Sequence, residues 1–197
     1  MPKGDRPPHP LEKHQAMALL QQPNPECRTG ARDRALLTVL YRCGLRSNEA
    51  RSLEVDHIVE TPRHELRVLQ PKGVRNGNRF RSAGLDGGTW EVLQQWLDVR
   101  GRHPGFIFDS KTGAKLDAKN FRSMLQSRAR KAGIMRRVHP HCLRHTFASE
   151  LYHEGVGMLD IMNLMGHRRL DTTALYLQNI GCSKSLAITC EREFSIE

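Results

Sequence analysis

A mainly α-helical domain carrying a small antiparallel sheet is the fold class this sequence predicts. Three observations lead there. Apolar residues recur at helical spacing over most of the chain. One central stretch loses that period and is broken by Pro, Asn and Gly. Among the 197 residues, 38% are hydrophobic and 26% charged, a balance that supports a packed core rather than a disordered chain.

The elements follow in order. Residues 1–10 read as a flexible arm, rich in proline. LEKHQAMALLQ at 11–21 reads as a helix, ended by QQPNPE. ARDRALLTVLYRC at 31–43 places Leu36, Leu37, Leu40 and Tyr41 on one side of a second helix. Gly44 closes it, and Ser47 is in position to cap a short helix running through Leu53. Weak alternation in EVDHIVETPRHELRVLQPKGVRNGNRFRSAGL predicts two or three short antiparallel strands. Helices resume at 88–100, with Trp90, Leu93 and Leu97 inward, and at 117–131, with Phe121 and Leu125 inward; FIF at 106–108 is a short apolar piece between them. A helix from Pro140 to His153 has its proline in the first turn, where a missing N–H is harmless. Segments 158–165 and 172–179 complete the domain, and residues from 181 form a C-terminal arm.

Charge narrows the function. Lys and Arg number 31 against 21 Asp and Glu, a surplus of +10 that favours a polyanionic partner, foremost nucleic acid. No apolar run reaches the length needed to span a bilayer, so no membrane partner is expected. The start lacks the apolar stretch of a secretory signal, and the five cysteines form no CxxC pair, which suits a reduced cytoplasmic compartment. Basic residues fall in three groups: Arg63, Arg67, Lys72, Arg75, Arg79 and Arg81; Arg122, Arg128, Arg130, Lys131, Arg136 and Arg137; and Arg168 with Arg169. Such runs are more often solvated faces than interfaces; three around one segment tilt this case towards a groove that tracks a phosphate backbone.

That segment is 139-HPHCLRHTFASELYHEG-155, with four histidines, an arginine and a cysteine. His141 and His145 are four apart, a spacing metals use, but the acidic partner of HExxH is missing and Arg144 sets a cation between them. No metal or other cofactor is expected. Leu143, Phe147 and Leu151 form an inward stripe, which leaves His141 and Arg144 together on another side. His145 fits equally as a hydrogen-bonded structural residue.

Four motifs occur in order: 44-GLRSNEARSL-53, the turn 71-PKG-73, HxxRH at 141–145, and 165-MGHRRLDTTALYLQ-178. Together they resemble the tyrosine recombinase, or phage integrase, family over nearly the whole chain. The resemblance implies that family's catalytic-domain fold over 11–180 and assigns roles residue by residue. Arg46 matches the first arginine, followed by the family's glutamate as Glu49. Lys72 matches the lysine of the sheet turn, although it also reads as a solvated turn lysine, and the proline usual after the last strand is missing. His141 and Arg144 match the ends of HxxR, His167 the histidine of the Gly-His motif, and Tyr176, nine residues on, the nucleophile.

The residue types suit the chemistry. A phenol with an ordinary pKa near 10 attacks phosphorus well only with a proton acceptor or a strongly positive pocket. Two guanidinium forks match the non-bridging oxygens of a phosphodiester and bind most strongly where negative charge grows. Histidines are suited to hydrogen-bond the phosphate or move the tyrosine proton, and a lysine to protonate the departing 5′ oxygen.

The resemblance thus implies a site-specific DNA recombinase that cleaves and rejoins strands through a 3′-phosphotyrosine. Its implied partners are double-stranded DNA bearing recombination sites and further copies of itself, a tetramer on paired sites, at a bacterial nucleoid. Residues 181–197, with Leu186, Ile188 and Phe194, are then candidates to dock on a neighbouring subunit. The usual family member has another domain of about one hundred residues before this one, so the chain resembles the small single-domain members or an excised catalytic domain. Two rival readings remain: a type IB topoisomerase-like enzyme with the same pocket, and a DNA-binding regulator without turnover.

Overall fold

A computed structural model describes residues 10–69 and 80–166. Seven helices and a three-stranded sheet occur among them: α1 Lys13–Leu20, α2 Arg28–Cys43, α3 Ser47–Arg51, β1 Ile58–Val59, β2 Glu65–Leu69, β3 Phe80–Gly84, α4 Gly87–Arg100, α5 Ala118–Lys131, α6 Pro140–His153 and α7 Met158–Met165. The mainly helical reading with a small antiparallel sheet is what the structure has.

Helix α2 runs through the middle because it is apolar on almost every side. Ala35, Leu36, Leu37, Val39 and Leu40 have no exposed surface, and the helix packs against both α4 and α6. It starts at Arg28, three residues before the expected boundary. The sheet has the order β1-β2-β3, all antiparallel, with Val68 opposite Arg81. Leu66 and Val68 of β2 face the core, and Arg67 between them is exposed, the alternation a half-buried strand requires.

One expectation needs correction, and another, the inward Trp90 that packs against the core, needs extending. Ser47 does not cap the short helix. That helix is Ser47–Arg51 and its N-cap residue is Arg46, whose backbone N–H donates to Glu49 Oε2 at 2.8 Å. In α4 the fully buried tryptophan is Trp96, whose indole N–H donates to the Ile107 carbonyl at 2.8 Å. Trp90 is half-buried and stacks on His64, ring centroids 4.1 Å apart. A lone helical period does not decide between these rings; the acceptor on the incoming Ile107 does.

Other helix ends follow local chemistry. Asp86 and Asp117 cap α4 and α5, accepting from the backbone N–H groups of Thr89 and of Lys119 and Asn120. Helix α6 spans Pro140–His153 with proline in its first turn, as expected. Its inward side is broader than the stripe read from sequence. Leu143 lies in the main core, whereas Phe147 and Leu151 pack with Ala148, Ile161 and Met165 in a second, smaller cluster that seats α7. No described helix is long and apolar enough to cross a membrane.

A candidate phosphate-binding active site

The site forms where two helix ends and a strand meet. Gly44 ends α2 in the left-handed conformation, φ 58°. A Cβ there would stand 2.3 Å from Phe147 Cδ1, so glycine is required both for the turn and for the approach of α6. The turn delivers Leu45 into the core and Arg46 to the edge of α3. Gly166 ends α7 in the same way, φ 63°, and a Cβ on it would lie 2.8 Å from Arg81 Nε. The third element is β3, which brings Arg81 back across the sheet.

Three arginines converge on the C-terminal end of α7. Arg81 Nη1 donates to the Leu164 carbonyl at 2.9 Å, Arg144 Nη2 to Met165 at 2.6 Å, and Arg46 Nη2 to Gly166 at 3.1 Å. Arg144 Nη1 also donates to the Gly44 carbonyl, tying α6 to the turn after α2. The terminal carbonyls of a helix have no partner inside it and form the negative end of its dipole, so cations are favoured there.

One carboxylate joins the same three side chains. Glu49 Oε1 accepts from Arg46 Nη1 and Oε2 from Arg81 Nη2, both at 2.8 Å, and Arg144 Nη1 stands 4.0 Å from Oε2. Burial alone would raise the Glu49 carboxyl; the Arg81 charge and the hydrogen bonds and charge of Arg46 outweigh it and hold the group below its ordinary value. Arg144 shows the opposite imbalance. Burial, then Arg46, and also Arg81 disfavour its charge, and Glu49 offsets only part of that. Three guanidiniums around a single shared carboxylate leave a positive excess in a largely dry place.

Exposure sorts the three. The Arg46 side chain is 38% exposed, Arg81 9% and Arg144 3%. Arg46 therefore presents the open face, with Arg144 behind it. His141, one turn before Arg144, is exposed, and partial desolvation together with Arg144 and Arg46 keeps its imidazole below the usual pKa, hence neutral near pH 7. Its ring lies 6.1 Å from that of His145, which is half-buried on the next turn.

Of the residues read from sequence, Arg46, His141 and Arg144 come together here. Lys72, His167 and Tyr176 lie outside the described residues. So do the helix expected at 172–179, both arms apart from Pro10, and Arg75, Arg79, Arg168 and Arg169. Sequence reading misses Arg81 as a member of the site. Charge alone groups it with backbone-tracking cations, yet its side chain is largely covered and bonded. A hint is present, since it stands nine residues after Lys72 in the sequence. Arg128 is likewise drawn inward, 3.8 Å from the buried Asp33. Arg63, Arg67, Arg122, Arg130, Lys131 and Arg137 are exposed, consistent with a polyanion-facing surface.

Asn48 is a bridge: its Oδ1 accepts from Lys115 Nζ at 3.0 Å and from Arg51 Nη2 at 3.4 Å. Glu49, the carboxylate of this cluster, is engaged by arginines rather than by His141 or His145. Among the described residues, Glu54, Asp56 and His57 form a cluster of ligand type, directly after the first of the four motifs.

Comparison with known proteins places this arrangement. The model of the phage integrase family matches residues 10–180. The tyrosine recombinase XerD of Pseudomonas putida is 35% identical over 184 residues, covering 89% of this chain and 59% of that protein. The tyrosine recombinase XerC of Chromohalobacter salexigens is 31% identical over 173 residues, covering 86% and 55%. The chain thus spans somewhat over half the length of the curated relatives it matches. Among solved structures, XerA recombinase superposes with a TM-score of 0.80 at 23% identity, covering 96% of this chain and 66% of that one. XerH bound to palindromic difH substrate, a post-cleavage complex, gives 0.78 at 23% identity, covering 95% and 55%. These likenesses carry the fold.

Proposed function

The chain belongs to the phage integrase family, and from that premise we propose that it is a site-specific DNA recombinase, cleaving and rejoining strands through a covalent 3′-phosphotyrosine. The observation that carries this reading is the excess of guanidinium over carboxylate at the end of α7, one residue before the Gly-His motif places His167 and ten before Tyr176.

The reaction divides among these residues. The Tyr176 oxygen attacks phosphorus, and the bond from phosphorus to the 5′ oxygen breaks. The tyrosine proton passes to a histidine, His167 or the neutral His141, and Lys72 protonates the departing oxygen. Arg46 and Arg144 bind the non-bridging oxygens, and their hold tightens as negative charge accumulates on them. A phosphodiester entering this site also relieves the mutual repulsion of the arginines, which favours both binding and the transition state. A 5′-hydroxyl from a second strand then attacks the phosphotyrosine, so the ends rejoin without a nucleotide cofactor.

In this reading residues 11–180 are the catalytic domain and 1–10 an arm. Residues 181–197 dock on a neighbouring subunit within a tetramer on paired sites, in the cytoplasm at the nucleoid. XerH, which shares the fold, is a site-specific recombinase held on its difH substrate, and that supports double-stranded recombination-site DNA as the partner of this chain.

The test is an incubation of the chain and its Tyr176→Phe variant with nicked suicide duplexes carrying the repeats that flank its gene, in chelator. A protein–DNA adduct on a denaturing gel, lost in the variant while DNA binding persists, is expected. An adduct that survives the substitution would move the nucleophile elsewhere, and binding without adduct from either protein would favour a regulator. Relaxation of a single supercoiled circle without exchange would favour the topoisomerase-like reading.

A further inference from the structure

Arg81 belongs to none of the motifs that identify the site, yet it bonds both α3 and the end of α7. It is the second residue of β3 and pairs across the sheet with Val68. Its two terminal nitrogens separate two tasks: Nη2 holds Glu49 Oε2, and Nη1 holds the Leu164 carbonyl in the last turn of α7. The guanidinium lies over Gly166, where the missing side chain makes room for it. With 9% of its side chain exposed, it is committed to these partners and is poorly placed to meet DNA.

The partners matter more than the bonds. Glu49 orients Arg46 twice, through its guanidinium and through its backbone N–H. The last turn of α7 supplies the carbonyls that hold Arg46 and Arg144. We infer that Arg81 is a positioning residue for phosphoryl transfer: by clamping Glu49 against the end of α7 from β3, it fixes the two guanidinium forks of Arg46 and Arg144 relative to one another. The assignment rests on the recombinase reading above. Arginine suits the role because its planar fork reaches two acceptors in different directions, whereas lysine offers one point.

A residue that only holds the fold together would lower stability, or would weaken DNA binding and turnover alike. A positioning residue acts on the chemical step and acts through Glu49. The 197-residue chain and its Arg81→Gln, Arg81→Lys, Glu49→Gln and Arg81→Gln/Glu49→Gln variants are compared on the same nicked suicide duplex. Three readouts are taken: the single-turnover rate of adduct formation at saturating duplex, the half-saturating duplex concentration, and the thermal midpoint.

Arg81→Gln is expected to slow the saturated rate about 100-fold, the scale of a small misplacement at a reacting centre, with half-saturation moving less than about threefold. Arg81→Lys should recover part of the rate, settling about tenfold below the unaltered chain. The double variant should be no slower than the slower single, because both substitutions break one linkage. A saturated rate for Arg81→Gln within about twofold of the unaltered chain, or effects of the two substitutions that multiply, would overturn the assignment. If Arg81→Gln does not fold, Arg81→Lys decides: an unaltered rate with an unaltered midpoint overturns it, and the tenfold loss supports it. Absence of adduct from the unaltered chain removes the recombinase reading and this assignment with it, whereas adduct from that chain beside an undisturbed Arg81→Gln rate removes the assignment alone.

Discussion

Two buried arginines, Arg100 and Arg144, show how one side chain serves opposite ends. Arg100, at the end of α4, donates to the carbonyls of Phe106, Gly101 and His103 and lies 3.8 Å from Asp109. Asp109 in turn accepts from Arg28 with both oxygens at 3.0 Å. That guanidinium closes a loop around itself. Arg144 also donates to two carbonyls, but its carboxylate is 4.0 Å away and is already shared by Arg46 and Arg81. Asp109 is shared by two guanidiniums and Glu49 by three, so the second arrangement has more positive charge left over, and an anion improves it. Burial of an arginine therefore says little about function until the carboxylates around it are counted.

Replacing each of the two by lysine should separate them most sharply. Lysine keeps the charge but spans no fork of acceptors. Arg144→Lys is expected to cut adduct formation at saturating DNA by about 10³-fold, the scale for losing a transition-state donor. Arg100→Lys should leave that rate within about twofold and lower the thermal midpoint instead, as expected when buried carbonyls lose their donor. Single-turnover kinetics beside thermal denaturation decides. Matching losses of rate in both variants would erase the distinction.

The turns give the next largest effect. Gly44→Ala places a methyl into Phe147 at a positive φ, and should destabilise the chain by about 2–4 kcal/mol, left-handed strain and overpacking together. The carbonyl of the same residue holds Arg144, so adduct formation should slow as well. Gly113, with φ 79° and nothing within 4 Å of an added Cβ, carries only the conformational cost, and its alanine variant should lose stability without losing rate. Denaturant titration of both checks the contrast.

Acid should pull the scaffold and the site in opposite directions. Glu49 has a folded pKa below its ordinary 4.5. Its stabilising contribution is therefore full above that value and disappears as pH falls through the lower folded value. Asp33 is buried against Arg32 and Arg128 on the other side of α2, and burial raises its carboxyl above the ordinary 3.8 in spite of both cations. Its folded state takes up a proton first, so the burial cost is relieved as pH falls through the raised value. Measured against the unaltered chain, the instability of Glu49→Gln should shrink as pH falls below about 4.5, while that of Asp33→Asn should grow over the same window. Slopes of one sign in a urea series from about pH 6 to about pH 3 would contradict the assignment of the two carboxylates.

Much of this contrast was legible in the sequence, and the part that was not has a physical cause. Arg46, His141 and Arg144 were found because motif spacing carries them and because helical period isolates His141 and Arg144 from the Leu143 stripe. Helix α6 was bounded correctly since Pro140 marks its first turn. Arg81 escaped notice because its partners are 32 and 83 residues away, and a local pattern registers only another arginine among arginines. Ser47 looked like the cap since serine usually is; the Gly44 turn and Glu49 shifted that position to Arg46. The places of Lys72, His167 and Tyr176 rest on the motifs alone.

The smallest expected effect concerns the exposed arginines, and it sharpens the comparison from the outside. Arg137 lies beyond α5 beside Arg130 and Met135, exposed to solvent. If it meets a phosphate, Arg137→Ala should weaken binding by a few-fold equally on specific and unrelated duplexes, and reduce the slope of log affinity against log salt by about 1. The rate of adduct formation at saturating DNA should not change. Arg102, whose guanidinium is paired with Glu60 at 3.2 Å, offers the matched control with no loss of slope. A change in saturated rate for Arg137→Ala would place it with Arg46 and Arg144 rather than on the surrounding surface. The same surplus of positive charge would then have to be divided differently, with chemistry reaching further from the end of α7 than the Glu49 cluster alone requires.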